Sequence, residues 1–125
     1  MVRGIGIDSV DIDELERLCG VGNGAFVRRT FTEAEQAEAE KAVRPAEALA
    51  GKFAVKEATF KAVGHLTKAQ VFDFRIVETL EDTAGCPHIT LDGPLAPILA
   101  EAGVTELLVS ITNESGIATA IVLAQ

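Results

Sequence analysis

The chain reads as an α+β protein, a mostly antiparallel sheet packed on one long central helix. Three observations predict this. The first residues, Val2 to Asp8, alternate like a strand. An Ala-rich stretch from Leu49 to Val63 repeats its large apolar residues at helical steps. The C-terminal half carries paired apolar runs separated by Gly, Asn and Asp, the pattern of hairpins. The 125 residues are enough for one domain of ordinary size, so residues 1–125 are expected to form a single domain.

In the first strand Ile5 and Ile7 share one face, and Val2, Gly4, Gly6 and Asp8 share the other. Two glycines on the Asp8 face weaken a strand, so they mark a backbone that something approaches closely. Asp8 can cap the helix that follows, and Asp11 competes because Asp11-x-x-Glu14 fits a capping box. That helix runs to about Cys19 with Ile12, Leu15, Leu18 and Cys19 on its apolar face. Its other face carries Asp11, Asp13, Glu14 and Glu16, with only Arg17 basic. Gly20, Gly22 and Gly24 form a loop, and Ala25 to Thr30 a short helical turn holding the adjacent Arg28 and Arg29.

Thr32-x-x-Glu35 is a second capping box and starts a helix that ends near Val43. Its acids, Glu33, Glu35, Glu38 and Glu40, are expected to be exposed. Pro45 suits the first turn of the central helix, and Gly64 suits its C-terminal cap. Val71 to Thr79 and Cys86 to Leu91 read as a hairpin across Glu81–Gly85. Asp92-Gly93-Pro94 turns the chain into a short helix from about Leu95 to Ala102, closed by Gly103. Leu107 to Thr112 and Ile117 to Leu123 form the last hairpin across Asn113-Glu114-Ser115-Gly116.

Hydrophobic content of 48% and charged content of 24% are those of a folding, soluble chain. No run approaches the roughly 18 consecutive apolar residues of a membrane span. The N-terminus is a strand pattern and not a signal peptide. Cys19 and Cys86 have no metal-ligand spacing, so a reduced, cytoplasmic setting is expected. A net charge of −8 argues against nucleic acid.

The central helix holds an oddity. Leu49, Phe53, Phe60 and Val63 share one face, yet Lys56 falls between Leu49 and Val63, and Glu57 lies beside Phe53 and Phe60. Ala50 and Ala54 flank Glu57, and Lys61 follows one turn later. The plain reading is an i,i+4 pair of Glu57 with Lys61, and a Lys56 that lays its stem along apolar surface. The functional reading is an acid and two lysines beside small residues that leave room for a ligand.

Together these stretches resemble the holo-[acyl-carrier-protein] synthases, the small class of 4′-phosphopantetheinyl transferases. The first match is Gly4-Ile5-Gly6-Ile7-Asp8 with Val10 and Ile12. The second is Leu49-Ala50, Lys52-Phe53-Ala54, Lys56-Glu57-Ala58 and Lys61-Ala62 in the central helix. The third is Val109-Ser110-Ile111-Thr112-Asn113, where the family ends in histidine. The order and spacing of the blocks agree over essentially the whole chain.

The resemblance implies transfer of the 4′-phosphopantetheine arm of coenzyme A to a serine of an apo acyl carrier protein, from fatty-acid or polyketide synthesis. A serine hydroxyl attacks the β-phosphate, and 3′,5′-ADP leaves. It implies Asp8 and Glu57 as ligands of Mg²⁺, an ion that takes one or two carboxylates with phosphates and waters. Glu57, Lys61 and Asn113 become the candidate catalytic residues. Lys56, Lys61, Gly64, His65 and Ser110 become candidates for holding coenzyme A. It also implies a homotrimer with sites at the subunit interfaces; Phe72, Phe74, Ile76, Val109 and Ile111 could offer apolar surface for it, though most of them are expected to fill the core. Three positions depart from the family: Glu14 stands where an arginine meets the carrier protein, His65-Leu66 replace a small phosphate-approaching loop, and Asn113 replaces the histidine. The alternative they raise is a homologue that binds carrier protein or acyl-coenzyme A without transferring the arm.

Overall fold

The computed structural model describes residues 1–20, 22, 24–68 and 72–125. The order is β1 (Gly4–Asp11), α1 (Ile12–Leu18), α2 (Gly24–Thr30), α3 (Glu33–Glu40), α4 (Pro45–Val63), β2 (Thr79–Glu81), β3 (Pro87–Ile89), α5 (Ala96–Ala102), β4 (Leu107–Glu114) and β5 (Ile117–Ala124). Short 3₁₀ turns cover Gly64–Leu66 and Phe74–Ile76. Strands β1, β5 and β4 form one antiparallel sheet in that order, and β2 and β3 form a second. The α+β expectation and the long helix on an antiparallel sheet both hold.

The two ends of the chain meet in the larger sheet. Gly4 pairs with Ala124 and Asp11 with Ile117, so β1 lies along the last strand. The inner face of β5 is Ala118, Ala120, Val122 and Ala124, all fully buried. Against it lies α4, whose Ala50, Ala54, Ala58 and Ala62 recur at four-residue steps and are also fully buried. Small residues on both partners let helix and sheet approach closely. A Cβ at Gly6 would stand 1.9 Å from the Ala58 carbonyl oxygen, and one at Gly4 would stand 1.9 Å from that of Ala62. The body that approaches these glycines is therefore the central helix, not a ligand.

Several local expectations are met by cap geometry. The Asp11 carboxylate accepts from Glu14 N–H. Thr32 and Glu35 form a reciprocal capping box. Gly103 closes α5 in the left-handed conformation, at φ 70°. In the last hairpin only Ser115 and Gly116 form the turn, at φ 54° and 77°, so both strands run longer than the sequence suggested. Other expectations are corrected. Gly64 is not left-handed; its φ is −57° and the chain continues into the 3₁₀ turn. The strand expected over residues 71–79 shrinks to β2, because Asp73 caps a 3₁₀ turn at Phe74–Ile76. Val71 itself, with Val21 and Asn23 of the glycine loop, lies outside the described residues.

Glu35, expected at the surface, is completely buried and pairs with the completely buried Lys56 at 2.7 Å. Glu38 likewise pairs with Lys52 at 2.6 Å. The two pairs bolt α3 across α4 and bring β2 with them. Glu35 also accepts from the backbone N–H of Thr79, and the Lys52 ammonium donates to the Thr79 carbonyl.

Candidate active site

Asp8 and Glu57 meet because β1 lies tightly on α4. The contacts of Gly4 with Ala62 and Gly6 with Ala58 show that β1 runs opposite to the helix. Two residues further along β1, the same face presents Asp8 beside the Glu57–Lys61 turn. Lys61 Nζ donates to Asp8 Oδ1 and to the Ile7 carbonyl, both at 3.0 Å. Asp8 and Glu57 line one cleft of about 320 Å³ with Ser9, Val10, Asp11, Glu14, Leu15, Leu18 and Phe53. Phe53 and Phe60 flank Glu57 and belong to a cluster of phenylalanines, with Phe74 5.3 Å from Phe53 and 5.7 Å from Phe60.

The electrostatics of this pair are unfavourable as it stands. Partial burial pushes the Glu57 carboxyl up from its ordinary value, the Asp8 charge pushes it further, and Lys61 opposes both. Two anions held together with one lysine leave net negative charge for a cation to offset. The described residues hold no group of three metal-binding side chains, so the site offers two carboxylates. Two carboxylates that leave the remaining positions to phosphate and water match the usual Mg²⁺ arrangement. The donor set fits the ion.

The remaining predicted residues disperse. Lys56 is the clearest correction. Its ammonium is spent on Glu35 Oε1, the Phe74 carbonyl at 3.0 Å and the Val77 carbonyl at 2.5 Å, with no exposed surface. Three donors meet three acceptors, so none is left for a phosphate. Burial holds its pKa below the ordinary value against the pull of Glu35. His65 is exposed at the end of α4, with Cε1 3.1 Å from where a Gly4 Cβ would stand. Gly64 lies between it and the Lys61 turn.

Asn113 and Ser110 sit on β4, separated from β1 by β5. Ser110 is exposed, opposite Ile121 on the outer sheet face, whereas Asp8 faces the helix. Asn113 Nδ2 donates to Glu47 at 3.0 Å and lines a different cavity, of about 390 Å³, with Lys41, Ala48, Gly51, Lys52, Thr79, Gly85 and Pro87 among its walls. At about 100° per residue, Lys52 and Ala48 point about 140° and 180° away from Glu57 on α4. The two cavities thus occupy opposite flanks of the helix and share no residue. The sequence reading missed Lys41 and Lys52 as members of the second cavity. The hydroxyl of Thr79, buried there without a hydrogen-bond partner, escaped it too. Nothing local marks these residues, since only β2 and α3 bring them together.

The apolar residues weighed between interface and core go mostly to the core. Val109 and Ile111 pack on the core, and Phe72, Phe74 and Ile76 are not in strands. The exposed apolar face of the sheet is instead Ile5, Ile7, Leu108 and Ile121, which are 59%, 58%, 50% and 37% exposed. No helix among the described residues is long and apolar enough to cross a membrane.

Comparison with known proteins places this geometry. The family model of the 4′-phosphopantetheinyl transferase superfamily matches residues 4–122. The holo-[acyl-carrier-protein] synthase of Solidesulfovibrio magneticus is 38% identical over 125 residues, covering 100% of this chain and 99% of that protein. The crystal structure of holo-[acyl-carrier-protein] synthase from Neisseria meningitidis superposes with a TM-score of 0.87 at 33% identity, over 100% of this chain and 99% of that one. A Chronobacterium ammoniagenes synthase in complex with coenzyme A superposes with a TM-score of 0.81 at 28% identity, over 98% and 96% of the two chains.

Proposed function

The chain belongs to the 4′-phosphopantetheinyl transferase superfamily, and from that premise we propose that it transfers the phosphopantetheine arm of coenzyme A to a serine of an acyl carrier protein. The observation that carries this reading is the Asp8–Glu57 pair, held in one cleft by the glycine contacts of β1 on α4. Asp8 and Glu57 would hold Mg²⁺, which when bound neutralises phosphate charge. Lys61, reachable from solvent beside Asp8, meets a further phosphate oxygen. Besides holding the cation, Glu57 would orient a water, and that water takes up the serine proton as the new O–P bond forms. The anhydride P–O bond breaks, and 3′,5′-ADP leaves with the electron pair.

Coenzyme A is large, and one chain divides the candidate residues between two flanks. Asn113 and the cavity with Lys41 and Lys52 lie across the sheet from Asp8. The exposed apolar residues Ile5, Ile7, Leu108 and Ile121 offer a face on which a second copy would sit. A homotrimer with sites at its subunit interfaces would let a neighbouring copy complete the pocket. The working setting is the cytoplasm, where coenzyme A and carrier protein meet. Beside the cleft, α1 exposes Asp13, Glu14 and Glu16, so the preferred carrier has a docking face less acidic than usual.

One observation favours the non-transferring alternative: Asn113 has no titratable nitrogen and is tied to Glu47. Intact-mass analysis separates the readings. Apo carrier proteins are incubated with the protein, coenzyme A and Mg²⁺, beside an Asp8→Ala/Glu57→Ala control. A gain of one phosphopantetheine group that disappears in the control supports transfer. Coenzyme A binding without any mass gain would establish the alternative.

A further inference from the structure

We propose that Lys61 is the internal counter-ion of the Asp8–Glu57 pair, and that it competes with the divalent cation and thereby sets how tightly that cation binds. The inference rests on the reading of Asp8 and Glu57 as cation ligands. Lys61 places its ammonium 3.0 Å from Asp8 Oδ1 and 3.0 Å from the Ile7 carbonyl, so two of its three hydrogens are directed at the metal-site strand. The three lysines of α4 differ in freedom. Lys52 is 5% exposed and Lys56 fully buried, both in short ion pairs with α3. The Lys61 side chain is 55% exposed, while its partner Asp8 is only 17% exposed. The carboxylate is therefore fixed and the ammonium is free to leave. The charged residues that line the cleft, Asp8, Asp11, Glu14 and Glu57, are all acids, and Lys61 reaches Asp8 from beside them.

A second positive charge arriving at Asp8 meets repulsion from this ammonium until the lysine swings into solvent or onto an anion. Removing the lysine removes that cost. It also leaves the cation-free protein with two acids side by side and nothing between them.

The test uses Mn²⁺ as the probe, titrated into the full chain without coenzyme A and followed by electron paramagnetic resonance. Lys61→Met is expected to bind Mn²⁺ about tenfold more tightly than the wild type, the scale of one unit charge a few ångströms away at a solvent-reached site. Lys61→Arg is expected to stay near the wild type. Asp8→Asn is expected to lose binding. If Lys61→Met binds no more tightly while Asp8→Asn still abolishes binding, the counter-ion role is overturned and the ligand assignment stands. Mn²⁺ binding that survives Asp8→Asn overturns the ligand assignment itself. Should Lys61→Met melt early without cation, the Asp8→Asn/Lys61→Met double variant decides: recovery of wild-type thermal stability supports the counter-ion role, and no recovery overturns it.

Discussion

Replacing Lys56 with methionine keeps the length of the side chain and deletes the charge inside the α3–α4 contact. The structure assigns Lys56 to stability, because its ammonium meets Glu35 Oε1, the Phe74 carbonyl and the Val77 carbonyl in a site without solvent. Lys56→Met leaves a buried carboxylate whose remaining donors are the N–H groups of Thr32 and Thr79. Breaking one side of such a pair costs about 3–5 kcal/mol. Against a typical total of about 5–15 kcal/mol, that is roughly a fifth or more of the stability. With a urea slope of about 2 kcal/mol per molar, the unfolding midpoint moves down by roughly 2 M. Glu35→Leu falls similarly. The Glu35→Leu/Lys56→Met double variant loses less than the sum of the singles, though not nothing, since it removes the partners of backbone groups at Thr32, Val77 and Thr79. Urea unfolding followed by circular dichroism supplies the free energies. Transfer assays well below the transition supply the KM for coenzyme A, which should not change. A midpoint shift worth under about 1 kcal/mol, together with a raised KM for coenzyme A, would refute this account and return Lys56 to the phosphate.

Four further outcomes follow from the same structure. Gly6→Ala puts a Cβ 1.9 Å from the Ala58 carbonyl oxygen, so β1 must lift from α4; unfolding should show a loss of at least about 2 kcal/mol, with weaker Mn²⁺ binding because Asp8 moves with the strand. Glu57 has its pKa raised in the folded protein above the ordinary 4.5, so without cation its contribution to stability is full below 4.5 and is lost as pH rises through the higher folded value; melting temperatures recorded against pH should show that decline in the wild type and not in Glu57→Gln. Ile7 and Ile121 oppose each other on the exposed sheet face, so Ile7→Lys/Ile121→Lys should yield a monomer in sedimentation velocity and lose most transfer activity. Glu14→Arg, at the rim of the carboxylate cleft, should lower the KM for a strongly acidic carrier protein several-fold at low salt and leave the KM for coenzyme A unchanged.

Among the local features, those legible in the sequence were the ones whose cause is local. The N-cap at Asp11, the capping box at Thr32, the proline that opens α4 and the glycine that closes α5 depend on a few neighbouring residues, and each is in place in the structure, Asp11 with the single N-cap bond from Glu14 rather than the full box. The family blocks were equally legible, because the proposed chemistry would need an acid on β1 and another on α4. Tertiary structure decided what those residues touch. Gly4 and Gly6 read as a backbone that something approaches closely; what approaches is the helix, and the alanines of α4 are their counterpart. Lys56 and Glu35 read as a ligand lysine and a surface acid. They became a buried pair because α3 folds back across α4, bringing together residues 21 positions apart. Asn113 is close to the Asp8–Glu57 carboxylates in motif logic and a strand away from Asp8 in space, because β5 enters the sheet between β1 and β4. Hydrophobic pattern and capping report what a segment prefers by itself. Which charge is enclosed, and which carboxylates share a cleft, is fixed only when segments distant in sequence exclude water between them.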